Sequence, residues 1–464
     1  MSILTAIFDS NKVFGFEQAF GAKDITTPEM KGAIRDWYGL YYGGATEQED
    51  PCQRIPNAIV SKLYKAVFSE YEAGPAQHGG KGAFLGELLA GLDVVRKTAV
   101  QQMLIGGRCF LKPLLGQPMT FGVVSRQNYM PLGVDAHGNI TDVGTSEQTR
   151  IGNTVYTLLE RRTVDAAGYL TIESRLFRAD SSDSLGVEVP LAALDKYAAL
   201  EPVLRLPQPV FSTGLIPLSC PAENCVDGSA DAVSVYAAAV GLLHNINRNE
   251  AQLNGEFENG RSRIIASADL LRKDAKGRRT LSDTLFTAID DDPETVGITI
   301  FSPALREQSY LARKTEYLRN VESLIGLKRG LLSDVEAAEK TATEITSSAG
   351  EYNLTIIDFQ QAWERAVREA VRVCCIIGEA YHLYSGEAVD PEAEVVISWG
   401  NGVLYDENQV WTDYKAMVSA GLIRPEYAIG WYFDLPTETP ADLEAIRTKY
   451  MPGEQDAAAE DSGA

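Results

Sequence analysis

The run Ser333-Asp334-Val335-Glu336-Ala337-Ala338-Glu339-Lys340-Thr341-Ala342-Thr343-Glu344-Ile345 joins a short acidic segment to a very long apolar periodicity. Beyond it, apolar residues recur at Ile345, Ala349, Tyr352, Ile356, Phe359, Trp363, Ala366, Ala370, Cys374, Ile377 and Tyr381, in steps of three or four. That is the period of one helical face. No proline interrupts the run as far as Tyr384, and Thr341 with Glu344 three residues on makes a capping-box pattern. A helix of about 40 residues is roughly 60 Å long, longer than a small domain is wide. Such a helix is a strut in a coiled coil, a long bundle or a ring.

Two more helices precede it. Ser302-Pro303 opens one that runs to about Arg329. In it Tyr310, Tyr317 and Leu324 repeat every seven residues, as do Leu311, Leu318 and Ile325, with Val321 between them. Upstream, a helix is predicted from Ser229 to about Phe257, striped by Val235, Ala239, Leu242, Ile246, Leu253 and Phe257, with Asn249 at the missing step. Both patterns are heptad-like. Gly260 ends the first helix, and an insert of about 40 residues separates the two. The insert reads as strands Arg263–Ala266, Thr284–Ile289 and Gly297–Phe301, with a basic cluster (Arg272, Lys273, Lys276, Arg278, Arg279) and an acidic turn at Asp290–Asp292. Helices of similar length flanking a small insert can run antiparallel and hold it at their far end.

Before these lie helices predicted at Met30–Tyr42, behind the Thr27-Pro28-Glu29 start, and at Asn57–Glu72 and Phe84–Leu104. From Arg108 to about Arg205 the chain reads as β, with strands at Cys109–Leu115, Thr120–Val124, Asn139–Val143, Thr154–Thr163 and Tyr169–Phe177. Leu206–Gly228, rich in Pro and Gly, reads as a connector. After the long helix come a strand at Glu394–Trp399 and short helices at Asp406–Ala420, Pro425–Trp431 and Ala441–Tyr450. The acidic, alanine-rich Gly453–Ala464 reads as a disordered tail.

The 464 residues suggest about two to four domains. With 45% hydrophobic and 23% charged residues, a packed core is expected. The net charge of −22 argues against a protein that grips nucleic acid, since phosphate affinity needs Lys and Arg. It is compatible with one past which nucleic acid must slide. Asp9, Lys12 and Glu17 break up the first twenty residues, so no secretory leader is expected, and no apolar run approaches a membrane span. Cys52, Cys109, Cys220, Cys225, Cys374 and Cys375 follow no zinc spacing and read as reduced, mostly buried thiols of a cytoplasmic product.

Catalytic patterns are missing. There is no phosphate-binding G-x-x-x-x-G-K-[ST], no H-E-x-x-H and no G-x-S-x-G. His78, His137, His244 and His382 are widely spaced and read as solvated or packed residues. With 64 acidic residues, chance carboxylate pairs are unavoidable, so a glycosidase pair cannot be inferred. No catalytic residue, metal ligand or cofactor is expected. On residues alone, a structural or scaffold protein with long helices and a polymer hydrolase using carboxylates of the β domain both stay open.

One resemblance is specific. Tyr317-Leu318-Arg319-Asn320-Val321-Glu322-Ser323-Leu324-Ile325-Gly326-Leu327, Leu332-Ser333-Asp334 and Lys340-Thr341-Ala342-Thr343-Glu344-Ile345 resemble a stretch of tailed-bacteriophage portal proteins. In that stretch a stem helix gives way to the tunnel loop and the next helix. Ser234-Val235-Tyr236-Ala237 and Glu258-Asn259-Gly260-Arg261-Ser262-Arg263-Ile264-Ile265 resemble the passage from the first stem helix to the clip. The likeness is to the branch found in long-tailed phages and prophages of Gram-positive hosts.

The resemblance implies an α+β, phage-portal-like fold with long stem and tunnel helices, a β-rich wing and a small β clip. It implies a wing at 1–228, stem helices at 229–258 and 303–329, a clip at 259–302 and a tunnel loop at 330–340. A long tunnel helix at 341–386, a wing strand at 387–400 and a short crown with acidic tail at 401–464 complete it. It further implies a non-enzymatic ring, usually of about twelve subunits, at the capsid vertex of a virion assembled in the host cytoplasm. The implied partners are double-stranded DNA in the channel, the terminase large subunit, a head-completion or adaptor protein, and major capsid and scaffolding proteins, with no membrane. Asp334, Glu336, Glu339 and Lys340, a net −2 per chain, would face the DNA channel. Arg272, Lys273, Lys276, Arg278 and Arg279 would dock the motor or adaptor. Val235, Leu242, Ile246, Leu253, Phe257, Tyr310, Tyr317, Leu318, Val321 and Leu324 would pack the stem.

Overall fold

The computed structural model describes residues 17, 19–43, 51–76, 80–114, 116, 118–182, 184–259, 263–266, 272–273, 279–280, 298–301, 304–333, 342–384, 394–399, 407–433, 435–437 and 439–451. The chain forms two compact units, Met1–Phe68 with Ala73–Ile397 and Ser69–Glu72 with Ser398–Ala464.

The larger unit begins with helices α1 (Pro28–Tyr42), α2 (Ile55–Val67) and α3 (Gly80–Gly106). The Thr27 hydroxyl accepts from Met30 N at 3.2 Å, and Pro28 fills the first turn, as the sequence predicts. α1 buries Met30, Ile34, Trp37, Tyr38 and Tyr41. The first strand, β1 (Glu72–Pro75), lies between α2 and α3. β2 (Arg108–Leu114) follows α3 directly through Gly107, whose φ of +83° suits glycine. A Cβ there would sit 2.3 Å from the Ala232 carbonyl oxygen, so the turn and the chain crossing it are pressed together.

Two antiparallel sheets form the β region. β3 (Thr120–Val124), β4 (Tyr129–Val134), β5 (Ile140–Ile151), β6 (Thr154–Val164), β7 (Leu170–Ala179), β8 (Val187–Val189), β9 (Val203–Arg205) and β10 (Ile216–Ser219) supply the remaining strands. One sheet has the order β10-β2-β3; the other runs β4-β5-β6-β7-β8, with β9 also on β7. Three of the differences from the sequence expectation have a clear physical cause. β10 lies inside the presumed connector, pairing Ile216 with Leu111 and Leu218 with Cys109. Its Pro217 points outward on an edge strand, where a missing N–H costs nothing. β4 was hidden by Pro131 and Gly133, which sit at a bulge on another edge. β5 continues to Ile151 because its polar second half is zipped to β6 as far as Ile151↔Thr154.

The long helix, α6 (Ala342–Ala380), is preceded by α4 (Val240–Asn259) and α5 (Glu307–Ile325). Its predicted stripe is buried from Ile356 through Ile377, but Ala362, Val367, Val371, Val373 and Cys375 are buried too. The helix is therefore a core element over most of its circumference there. Val373 and Ile377 pack with Leu170, Leu206 and Val210 of the β region. Trp363 stands edge-on to Phe68, ring centroids 5.7 Å apart. Among the described residues no helix is long and apolar enough to cross a membrane. All six cysteines are free; Cys109, Cys220, Cys374 and Cys375 are buried, and burial pushes the Cys220 and Cys375 thiols up to about 12.

The smaller unit holds α7 (Glu407–Ser419), α8 (Pro425–Tyr432) and α9 (Pro440–Tyr450). A capping box joins Thr439 and Asp442 at the start of α9.

Candidate functional site, a paired-helix stem and a buried carboxylate

α4 and α5 pack side by side and antiparallel. Asn249 Nδ2 donates to the Tyr310 carbonyl at 3.1 Å, Lys314 Nζ lies 2.8 Å from Glu250, and Arg306 grips Glu256 through two bonds of 3.0 and 2.8 Å. Moving along α4 from 249 to 256 thus means moving back along α5 from 314 to 306. The bonds from Arg306 hold the Glu256 carboxyl below the usual carboxylate range. That pair is intact at neutral pH and is lost as pH falls through the lowered value. Exposed pairs add little stability, but here they fix register. Asn249, the polar break in the heptad stripe, is buried and explains itself: its amide ties the two helices at one height.

The insert starts and ends at the far end of this pair. Strands β11 (Arg263–Ala266) and β14 (Ile298–Phe301) pair antiparallel with Arg263 opposite Phe301. Between them β12 (Arg272–Lys273) and β13 (Arg279–Thr280) pair, with Lys273 opposite Arg279. Arg272, Lys273 and Arg279 are therefore on one small hairpin, while Lys276 and Arg278 lie outside the described residues.

The near end is anchored to the N-terminal helices and the start of the β region. Residues 229–236, predicted as helix, are not helical; only the turn Ala237–Ala239 leads into α4. Local side-chain bonds win over the helix here. Asn224 Nδ2 donates to Asp227 and to the Ser229 and Asp231 carbonyls, and Ser234 Oγ donates to the Leu104 carbonyl at 2.9 Å. Asp231 accepts from the buried Arg126 at 2.8 Å, and Arg126 also donates to Thr26 Oγ1 and the Tyr129 carbonyl. Farther along, Asn247 Oδ1 accepts from Gln53 N, and His244 Nε2 lies 3.0 Å from Asp36. The first half of α4 is thus fastened to α1 and to the segment before α2, and the second half to α5.

The end of α5 carries a feature that the periodicity did not reveal. Glu322 is 0% exposed. Its Oε1 accepts from Leu332 N at 2.5 Å and Ser333 N at 2.9 Å; its Oε2 accepts from Gly330 N at 3.2 Å and Ser333 Oγ at 2.8 Å. Three backbone N–H groups and a hydroxyl thus surround one carboxylate, the kind of charge-assisted set that makes burial of a charge tolerable. Gly326 ends the helix at φ +73°, and a Cβ there would meet Thr355 Oγ1 of α6 at 2.3 Å. Residues 326–333 are therefore folded back onto α5, with Gly326 set against α6. A charged residue beside Val321 and Ile325 of the apolar row, followed by a glycine-punctuated turn, was the available signal.

The predicted site residues divide clearly. Asp334, Glu336, Glu339 and Lys340, with the Thr341 cap, lie outside the described residues, one step beyond the Glu322-bound segment. Val235, Ile246, Leu253 and Val321 are buried, and Leu242, Tyr310, Tyr317 and Leu318 are half-buried. Phe257 and Leu324 are exposed within the single chain, at 47% and 53%. No group of three or more His, Cys, Asp or Glu among the described residues could hold a metal.

The described residues thus form a paired-helix stem with a β insert at its far end, a latched loop and a helix that runs through the core. Residues 97–450 match the family described as phage portal protein, SPP1 Gp6-like. The chain is a phage portal protein, a non-enzymatic, ring-forming component of the capsid vertex. Within that class it belongs to the SPP1 Gp6-like family. Among solved structures it is similar to a chain of the neck of an empty GTA particle computed with C6 symmetry, at 12% identity, over 88% of this chain and 98% of that one, with a TM-score of 0.40. No curated protein matches it.

Proposed function

We propose that rings of this chain, of about twelve copies, are the passage through which double-stranded DNA is packaged and ejected. In this reading the tip of the stem docks first the terminase large subunit and then a head-completion or adaptor protein, while the periphery meets major capsid and scaffolding proteins. The divisions at 1–228, 229–258, 259–302, 303–329, 330–340, 341–386, 387–400 and 401–464 keep their roles as wing, stem, clip, stem, tunnel loop, tunnel helix, wing strand and crown, with helix α4 itself starting at Val240. The observation that carries the reading is the latch. A buried carboxylate fixes the chain up to Ser333, so the acidic segment Asp334–Lys340 starts from a set position between two long helices. Repeated around a ring, its Asp334, Glu336 and Glu339 make an acidic collar. Cationic walls bind DNA by releasing counterions; an acidic wall lets it slide. Lys340 is the one cation there that can touch phosphates.

Lys273 opposite Arg279 in the tip hairpin supports docking. A basic cluster carried by one small hairpin suits an acidic partner surface.

The test is a triple charge reversal, Asp334→Lys, Glu336→Lys and Glu339→Lys. Rings with an axial hole should still form by negative-stain microscopy, and DNA packaged per particle should drop sharply. Unchanged packaging would refute the channel role, and a wild-type chain that stays monomeric under all salt and protein concentrations would sink the ring.

A further inference from the structure

The smaller unit carries a continuous strip of aromatic rings. Tyr414 stacks on Trp431 (5.2 Å between centroids) and Trp431 on Trp411 (6.5 Å). Trp411 meets Tyr432 (4.5 Å), Tyr432 meets Phe433 (5.0 Å), and Phe433 stacks on Tyr450 (5.0 Å). None of the six is buried, and Tyr432 and Phe433 are 54% and 52% exposed. The other four are half-buried, so the strip holds two open rings, apolar exposure of the kind that marks an interaction site.

Its charges indicate the occupant. Residues 398–464 hold twelve Asp or Glu and four Lys or Arg, a net −8. Three of those four cations lie along or under the strip: Lys415 over the Trp411 ring, Lys449 over the Tyr450 ring, and Arg447 on the buried Glu426. The strip is thus the cationic edge of a strongly acidic unit. Such a unit repels nucleic acid, which leaves a protein surface with exposed carboxylates. The unit itself offers one. Exposed Glu444 lies on α9 five residues before Lys449, roughly 140° around the helix from it. One copy therefore presents an aromatic-cationic edge and, on another side, a carboxylate to complement it. That is the pattern of a heterologous, ring-closing contact.

We propose that this strip docks on the Glu444 face of α9 in the next copy of the chain, so that the smaller units form their own closed belt within the ring. The proposal rests on the ring-forming character of the family.

Two charge reversals in the full chain test it, both at exposed positions. Lys449→Glu and Glu444→Lys should each raise the protein concentration needed for rings by about tenfold, read by light scattering and native mass spectrometry. Their circular dichroism and melting as monomers should match wild type. A one-to-one mixture of the two variants should restore assembly, because alternating copies place opposite charges at every contact. The pair Tyr432→Ser with Phe433→Ser should lose assembly and not be rescued by mixing. Rings at wild-type concentration in both charge variants, or no rescue on mixing, overturn the proposal. So does a result in which rings are unaffected and only binding of capsid or scaffolding protein is lost. If the wild-type chain forms no rings, the ring itself has failed and not this contact.

Discussion

Replacing Trp363 by alanine is expected to destabilise the folded subunit by about 3–5 kcal/mol, the cost of truncating a large buried aromatic. Trp363 is 1% exposed and sits in the middle of α6, where that helix meets α2, α3 and β10. Its ring is held edge-on by Phe68, a geometry worth a further ~1 kcal/mol beyond area. A cavity of about 10 Å³ already borders it, lined by Leu63, Val67, Met103 and Phe359. The surrounding wall comes from four separate elements, so it cannot close over the larger void. Trp363→Phe should cost clearly less than Trp363→Ala. Urea or thermal unfolding of the monomer measures both, and an alanine variant melting with wild type would place the indole outside the core.

The second large effect is expected at Glu322. Glu322→Ala leaves the N–H groups of Gly330, Leu332 and Ser333 and the Ser333 hydroxyl without their acceptor. Each buried donor left unmet costs about 1–3 kcal/mol. Water entering the exposed side of the turn recovers part of that, so about 3–5 kcal/mol is expected locally. Glu322→Gln keeps one acceptor oxygen and places an NH2 against donors, so it should fall between alanine and wild type. The two core predictions differ in reach. Trp363→Ala should lower global stability, whereas Glu322→Ala should speed amide exchange chiefly at 327–333. Protection there equal to wild type would show that the carboxylate does not hold the segment. A melting loss as large as that of Trp363→Ala, with exchange spread over α6, would show a core role in place of a local one.

The α+β class, the three long helices and the β insert were legible because each follows from period alone. Arg263–Ala266 was located to the residue, and α6 to within a few residues of either end. What escaped did so for physical reasons. Pro131 and Pro217 read as breakers, yet both sit on sheet edges where proline is harmless. The stretch Ser229–Tyr236 has apolar spacing compatible with helix, but Ser, Asp and Asn side chains bond the backbone first. Glu322 escaped because a helix glutamate is by default a surface residue; only tertiary folding brings three backbone donors to it. Of the two seven-residue rows in α5, Tyr310–Tyr317–Leu324 turns outward at its end while Ile325 goes in, a distinction that single-chain periodicity cannot make.

The strand pair that closes the stem has a consequence for how such a chain can vary. With Arg263 opposite Phe301, the insert leaves and re-enters the stem at neighbouring positions, about 5 Å apart. Everything between them hangs from a single two-point hinge. A longer, shorter or foreign segment grafted there changes neither the phase of α4 against α5 nor the ion pairs that set it. The tip is thus a socket whose contents can be exchanged while the helix pair behind it stays the same.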